Sequence, residues 1–128
     1  MLRVRKPLFI SEQETQALRP ELQPFASAEI AVRKNRGTIK IALEGVILGA
    51  STNELRDFLK DVSSFRAATW ILQMEALRVM STRGLRLLVQ FSRLLRGRGY
   101  GLKIESIHTN VYTTLRELRL LQEFEWPD

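Results

Sequence analysis

Residues 69–95 read TWILQMEALRVMSTRGLRLLVQFSRLL, and this stretch decides the fold. Its apolar beginning predicts a buried strand at Trp70–Met74. Its later part repeats apolar residues at intervals of three and four, which predicts a helix at Leu85–Arg96 that Gly97 closes. Between them, Ser81–Gly84 are predicted to form a tight polar loop. Because the first N–H groups of a helix have no partner within it, this loop could receive an anion, a phosphate or a partner carboxylate. We interpret it as the functional end of the molecule.

Strands and helices alternate in the rest of the chain. AEIAVRK and TIKIALEG alternate apolar and polar residues on either side of Asn35-Arg36-Gly37, which predicts a β-hairpin. The other predicted elements are a loop at Gly45–Ser51, a helix capped by Ser51 or Thr52 and ending near Ser63, a strand at Tyr100–Glu105 and a helix at Thr109–Leu121. The resulting order, ββαβαβα, predicts a single α/β domain whose mixed, mostly parallel sheet is packed against helices.

Residues 1–27 differ in character from those that follow. Ser11 and Glu14 have capping-box spacing, so Glu12–Leu18 could form a short helix. We predict that residues 1–27 are an N-terminal extension and that residues 28–128 form the domain. The extension also contains apolar residues that would permit a homodimer, namely Leu2, Val4, Leu8, Phe9 and Ile10.

The composition excludes several classes of protein. A chain of 128 residues suits one core, and 45% hydrophobic with 27% charged residues is ordinary for a soluble globular protein. No apolar run approaches the roughly 20 residues of a membrane helix, so no integral membrane segment is predicted. The absence of cysteine excludes disulfides, thiolate nucleophiles and cysteine zinc sites. We expect a cytoplasmic protein without a cofactor or a metal site.

The net charge of +6 is concentrated in one region. From Ala76 to Ile104 there is no acidic residue, and the basic residues are Arg78, Arg83, Arg86, Arg93, Arg96, Arg98 and Lys103. Such a region attracts acidic proteins, nucleic acid or anionic lipid. Helical spacing predicts that four polar residues share a face pointing away from the sheet, namely Arg83, Arg86, Gln90 and Arg93.

The run LQMEALRVMSTRGL at Leu72–Leu85 resembles the signature of STAS domains, the family that includes anti-sigma factor antagonists and the cytoplasmic tails of sulfate transporters. Glu44-Gly45, the turn at Arg98–Leu102 and the helical stretch Val111–Leu120 resemble further parts of that family. The likeness covers about residues 28–126. It implies a bacterial, non-enzymatic module of a partner-switching pathway that binds an anti-sigma factor kinase through the loop and the following helix.

One departure from the family affects the expected switch. In the antagonists the serine immediately before the glycine is phosphorylated by the partner kinase, whereas Arg83 holds that position here. The usual phosphoswitch therefore cannot operate. Thr82, and after it Ser81, are the remaining phosphorylation candidates, although both could simply cap the helix. The partner contacts that the resemblance and the charge pattern suggest are Ser81, Thr82, Arg83, Gly84, Arg86, Gln90 and Arg93.

Two other functions stay open. The chain could be an accessory subunit of a membrane lipid or anion transport system, or a nucleic-acid or nucleotide binder that uses the basic helix. Nucleic acid is the less favoured partner because no aromatic residue interleaves the arginines. Catalysis has little support, since His108 is the only histidine and no metal-ligand spacing or nucleophile motif accompanies it. We expect His108 to have a structural role at the start of the last helix.

Overall fold

The computed structural model describes residues 2–8, 19–33 and 36–127. The strands and helices there are β1 (Leu2–Pro7), β2 (Phe25–Arg33), β3 (Arg36–Ile47), α1 (Ser51–Val62), β4 (Thr69–Met74), β5 (Leu77–Met80), α2 (Thr82–Gly97), β6 (Leu102–Ile107) and α3 (Thr109–Glu117). Short 3₁₀ turns occupy Pro20–Leu22 and Leu121–Glu123. The helix predicted at Glu12–Leu18 lies outside the described residues. In the described ranges no helix is long and apolar enough to cross a membrane.

One mixed sheet organises the chain. Its strand order is β1-β2-β3-β4-β6, and β5 pairs with the end of β3. The β1–β2 and β2–β3 pairings are antiparallel, and the β3–β4, β3–β5 and β4–β6 pairings are parallel. Parallel pairings are thus the more numerous in the part of the chain described, although the antiparallel ones are longer. This confirms the predicted α/β fold with a mixed sheet, but the sheet is not mostly parallel as predicted, because the two long antiparallel pairings join more residues than the three parallel ones.

The predicted hairpin is confirmed in β2 and β3, which pair from Phe25 opposite Glu44 to Arg33 opposite Arg36. In β3 alternate residues are buried, because Ile39, Ile41 and Leu43 have no exposed surface while the residues between them are half-buried. This is the period-two pattern of a strand with one face in the core. The predicted turn is shorter than expected, since Arg36 and Gly37 already belong to β3.

The predicted order ββαβαβα lacks two strands of the structure, β1 and β5. β1 pairs along β2, and Leu8, immediately after it, is fully buried in the common core. The domain boundary predicted at residue 28 therefore falls inside β2, with described residues on both sides of it in one sheet. No strand is predicted between Met74 and Ser81, but β5 lies there and pairs with β3 after the turn at Glu75 and Ala76.

The predicted loop at Gly45–Ser51 is too long, because β3 continues to Ile47. Gly45 adopts a φ of 83° at the irregularity where the parallel neighbour of β3 changes from β4 to β5, so the strand passes through the glycine. The predicted cap of α1 is also wrong. The N-cap is Ala50, and the Ser51 hydroxyl instead bonds the backbone N–H and carbonyl of Leu48.

Two predicted helix ends also shift. Gly97 is the last residue of α2, and the left-handed residue is Gly99, with a φ of 90°. The Tyr100 N–H then donates to the Leu95 carbonyl at 2.9 Å, which gives a hydrogen-bond partner to a carbonyl in the last turn of the helix. The last helix ends at Glu117 instead of Leu121, where the chain turns through Arg119 with a φ of 59°.

The core joins the sheet to the apolar faces of α1 and α2. Trp70 is 1% exposed, its ring meets that of Phe91 edge to face at 5.7 Å, and its Nε1–H donates to the Ala67 carbonyl. After α3 the chain returns along β6, where the N–H of Ile104 donates to the carbonyl of Glu125 at 2.8 Å. The contact between Trp70 and Phe91 holds α2, which carries the candidate site, against the sheet.

Candidate partner-binding site

Ser81 starts α2 as its N-cap. Its backbone is extended, and its Oγ accepts the N–H of Gly84 at 3.1 Å. Its own N–H donates to the carbonyl of Ile47 at 3.0 Å, which ties the start of the helix to the end of β3. The hydroxyls of Ser81 and Thr52 are 3.2 Å apart, so the half-buried Ser81 side chain is already engaged. The polar stretch predicted as a loop is therefore a cap followed by the first helical turn.

Gly84 lies within that first turn and is buried. A Cβ at this position would stand 2.7 Å from Cγ of Met80, so the helix lies close over the end of β5. The resemblance and the charge pattern suggest Gly84 as a partner contact. The structure shows that its close neighbour is a side chain of its own domain, and that it offers little surface to another molecule.

Thr82 and Arg83 are exposed at the beginning of α2. Nη2 of Arg83 donates to Oδ1 of Asn53 at 2.6 Å, which links the first turns of α2 and α1. The Thr82 hydroxyl has no hydrogen-bond partner within the described residues. The two phosphorylation candidates thus differ, because Thr82 is accessible whereas the Ser81 oxygen caps the helix.

The predicted outward face of α2 is confirmed, since all four of its members are exposed: Arg83, Arg86, Gln90 and Arg93. Arg86 and Gln90 have no side-chain hydrogen bond or ion pair within the described residues. Arg93, by contrast, donates from Nη2 and Nε to the two carboxylate oxygens of Glu123 at 2.7 and 3.1 Å. This face therefore divides into Arg86 and Gln90, which are free for a partner, and Arg83 and Arg93, which are bound within the domain.

Glu123 fastens the C-terminal segment to α2. Its side chain is only 12% exposed, and it also receives Nη2 of Arg96, which lies 3.3 Å from Oε2. The Ser92 hydroxyl donates to the Glu123 carbonyl at 2.6 Å. The hydrogen bonds from Arg93 hold the pKa of Glu123 below its ordinary value, and the same contact raises the pKa of Arg93. Arg93 thus has an intramolecular role that helical spacing alone did not reveal.

Two exposed apolar side chains lie beside the beginning of α2. Leu48 is 47% exposed and follows Ile47, whose carbonyl anchors Ser81, while Val79 is 43% exposed on β5 and lies opposite Val46. The sequence offered no signal for them, because apolar residues at strand ends are normally taken as core. We call the surface formed by Leu48, Asn53, Val79, Thr82, Arg83 and Arg86 the α2 entry surface.

His108 has the structural role that we expected. It is the N-cap of α3, where its Nδ1 accepts the N–H of Asn110 at 3.1 Å, and its own N–H donates to the carbonyl of Met74. Among the residues that the structure describes, no group of three histidine or acidic side chains could hold a metal ion. The candidate site is therefore a surface of hydroxyl, guanidinium and apolar groups.

The sheet topology, the capped helix after β5 and the sequence together define the class of protein. The chain belongs to the STAS domain family, whose sequence model matches residues 29–127. An anti-sigma factor antagonist from Mycobacterium paratuberculosis shares the fold with a TM-score of 0.66 at 13% identity, over 84% of this chain and 87% of that one.

Two further solved structures share the fold. The anti-sigma factor antagonist SpoIIAA in its unphosphorylated form has a TM-score of 0.56 at 17% identity, over 79% of this chain and 87% of its own. An uncharacterized DUF3478-family protein with a SpoIIAA-like fold from Shewanella loihica has a TM-score of 0.50 at 10% identity, over 79% of this chain and 82% of that one. No curated protein sequence matches significantly. The resemblance drawn from the signature is thus confirmed for family and fold.

Proposed function

We propose that this STAS domain is a non-enzymatic, protein-binding module of a bacterial partner-switching pathway that regulates transcription in the cytoplasm. Its partner in this proposal is an anti-sigma factor or a related kinase, which binds the α2 entry surface. The observation that carries the proposal is the unpartnered cation of Arg86 and the free Thr82 hydroxyl beside exposed Leu48 and Val79. The antagonist function of two fold neighbours supports the choice of partner.

The chemistry of the surface suits a protein partner. Specific interfaces combine apolar side chains at their centre with polar groups at the rim, and arginine is enriched in them. Leu48 and Val79 supply apolar area, while Arg86 can donate two parallel hydrogen bonds to a carboxylate of the partner. Arg83 would keep its bond to Asn53 and contribute charge. Arg93 is left out of the contact because Glu123 occupies its guanidinium.

Thr82 is the residue that we propose for regulation. A phosphate on its hydroxyl would add a charge of about −1.5 to −2 at a helix N-terminus, where negative charge is stabilised. Arg83 and Arg86 lie one residue and one turn further along α2, so the modification would neutralise most of the positive charge of the surface that binds the partner. Ser81 is poorly suited, because modification would remove the cap that its oxygen provides.

The binding proposal is tested with Arg86→Glu. The tagged protein is used to recover partners from lysate of its native cells, which are identified by mass spectrometry, and binding of the purified partner is then titrated. We expect Arg86→Glu to abolish binding and to leave the thermal midpoint nearly unchanged, because exposed charges contribute little to stability. Arg66→Glu makes the same charge change before β4, at the opposite end of the sheet, and should bind normally.

Several outcomes would contradict this proposal. Unchanged binding by Arg86→Glu would move the interface away from the α2 entry surface. Recovery of a transporter ATPase would instead support the accessory-subunit function. Recovery of nucleic acid alone, with an affinity that falls steeply as salt is added, would support a nucleic-acid binder.

The regulatory proposal is tested separately by intact-mass analysis of the protein isolated from its own cells at rest and under stress. We expect a phosphorylated fraction that disappears in Thr82→Ala. A mass without phosphate under both conditions would leave Thr82 as a surface residue of the first helical turn only.

A homodimer through the N-terminal region remains a proposal that β1 supports. In the described sheet β1 has a neighbour on one side only, and Leu2 and Val4 are 50% and 39% exposed on it. An open strand edge of this kind can pair with another chain. Light scattering should show a dimer that Val4→Lys converts to a monomer, whereas a monomer at high concentration would exclude this interface.

A further inference from the structure

We infer that the groove between α1 and α2 binds an acidic amphipathic helix of a partner protein. The inference rests on the proposed function only in requiring a protein partner, since none of the residues that line the groove belongs to the α2 entry surface. The apolar floor of the groove and the separation of charges around it define this occupant.

The floor of the groove is apolar and partly open. A cavity of about 180 Å³ is lined by Leu59 of α1 and by Leu87, Phe91 and Leu94 of α2. Leu59 and Phe91 are 6% and 5% exposed, whereas Leu94 is 46% exposed although it belongs to a well-packed helix. An exposed leucine above an apolar cleft leaves room for aliphatic side chains from another molecule.

Both ends of the groove are held by hydrogen bonds between the two helices. Arg83 donates to Oδ1 of Asn53 at one end, and Nη1 of Arg98 donates to the carbonyl of Ser63 at the other, each at 2.6 Å. Along α2 these arginines are about 22 Å apart, which corresponds to four turns of helix. The groove between these two contacts is therefore preformed, and its lining along α2 runs from Leu87 to Leu94, about 10 Å or two turns, which matches the apolar stripe of a docked helix.

Charges on α1 are separated around the helix. Arg56 and Lys60 line the groove, whereas the acidic residues Glu54, Asp57 and Asp61 do not. Arg56 approaches Asp57 at 3.6 Å, but both side chains are more than half exposed, so this pairing is weak. Like charges four residues apart disfavour an isolated helix, so the spacing of Arg56 and Lys60 has no stabilising role.

The α2 wall carries no negative charge that would oppose an acidic occupant. The α2 residues that line the groove are Leu87, Gln90, Phe91 and Leu94, and the sequence of α2 contains no acidic residue. An occupant that fits both walls has an apolar stripe at positions i, i+3, i+4 and i+7 for the floor and carboxylates on its flanks. A nucleic-acid backbone would leave the apolar floor unused, and a flat lipid surface would not enter a cleft between two helices.

The test uses the full chain and a synthetic, dye-labelled peptide of about four helical turns, with leucines at the stripe positions and glutamates on both flanks. Binding is measured by fluorescence anisotropy. We expect the glutamate peptide to bind, and a peptide with lysine in place of every glutamate to bind at least about tenfold more weakly. Equal binding of the two peptides, or no binding of the glutamate peptide, would overturn the inference.

Protein variants locate the bound peptide. Leu94→Asp should weaken binding about tenfold or more because it places a carboxylate on the apolar floor of the groove. Lys60→Glu should weaken binding because it replaces a positive charge of the α1 wall by a negative one. Arg116→Glu makes the same kind of charge change at an exposed position of α3 that does not line the groove, and it should bind the peptide normally. Binding that survives Leu94→Asp and Lys60→Glu would place the peptide elsewhere and reject the groove.

Two comparisons separate this inference from the proposed function. Loss of partner binding in Arg86→Glu with no groove binding of the peptide would reject the groove alone. Peptide binding in the groove together with unchanged partner binding by Arg86→Glu would reject the α2 entry surface alone. Association with phosphatidylglycerol vesicles that Leu94→Asp abolishes, without peptide binding, would show a lipid surface as the occupant and overturn the inference.

Discussion

Replacing Gly45 by alanine is expected to destabilise the fold much more than replacing Gly49. Both glycines have positive φ angles, 83° and 56°, where a Cβ costs about 1–2 kcal/mol. Their surroundings differ. A Cβ on Gly45 would stand 2.1 Å from the carbonyl oxygen of Gln23, whereas a Cβ on Gly49 would meet no atom within 4 Å.

This difference sets the expected magnitudes. For Gly49→Ala the free energy of unfolding should fall by the conformational cost alone, about 1–2 kcal/mol. For Gly45→Ala the backbone at Gln23 must also move, and overpacking of this kind costs about 1–3 kcal/mol, which gives about 2–5 kcal/mol in all. The Gly45 N–H donates to the carbonyl of Ala76, so the displacement would extend towards β5 and the start of α2.

Urea unfolding followed by tryptophan fluorescence measures both variants. Trp70 is 1% exposed, so its emission reports loss of the core. Thermal midpoints provide a second measure, with a shift of about 4 °C for each kcal/mol in a domain of this size. Equal losses of unfolding free energy for Gly45→Ala and Gly49→Ala would refute the close packing of Gln23 against β3.

Three further substitutions test single contacts. Ser81→Ala should cost about 1 kcal/mol of unfolding free energy, because the N–H of Gly84 loses its acceptor, and chemical denaturation measures this loss. Phe91→Ala should cost about 3–5 kcal/mol by the same measurement, since the ring packs against Trp70. Hydrogen bonding to Arg93 keeps the pKa of Glu123 below its ordinary value of 4.5. The Glu123 carboxylate therefore stabilises the folded protein fully at pH values above its pKa in the unfolded chain. This stabilisation is lost as the pH falls through the lower pKa of the folded protein. The urea midpoints of the unaltered protein and of Glu123→Gln should therefore differ at neutral pH and converge in acid.

Local patterns in the sequence were sufficient for most of the fold. Alternation of apolar residues predicted the hairpin, and apolar residues at intervals of three and four predicted the exposed and buried sides of α2, including exposed Arg86 and Gln90. The stretch at Leu72–Leu85 also predicted the STAS family correctly. These features are readable because each depends on residues close together in the chain.

The start of α2 could not be predicted from local patterns in the sequence. Ser81–Gly84 have the composition of a loop, and helix propensity disfavours glycine in a first turn. The helix nevertheless begins at Thr82, because Ser81 caps it and Gly84 allows it to lie against Met80. The Ser81 N–H also donates to the carbonyl of Ile47, a contact across the fold that the spacing of polar residues does not encode.

What the sequence determined by itself was the class of fold, the helix that carries the site and the outward direction of its polar residues. Only the tertiary structure decided which of those residues are free, because Arg93 is held by Glu123, which lies 30 positions later in the chain. The tertiary structure also placed exposed Leu48 beside Ser81 and brought Leu59 and Leu94 to one groove. Periodicity along one element predicts which side faces the core, but contacts between distant segments depend on how the whole sheet and its helices pack.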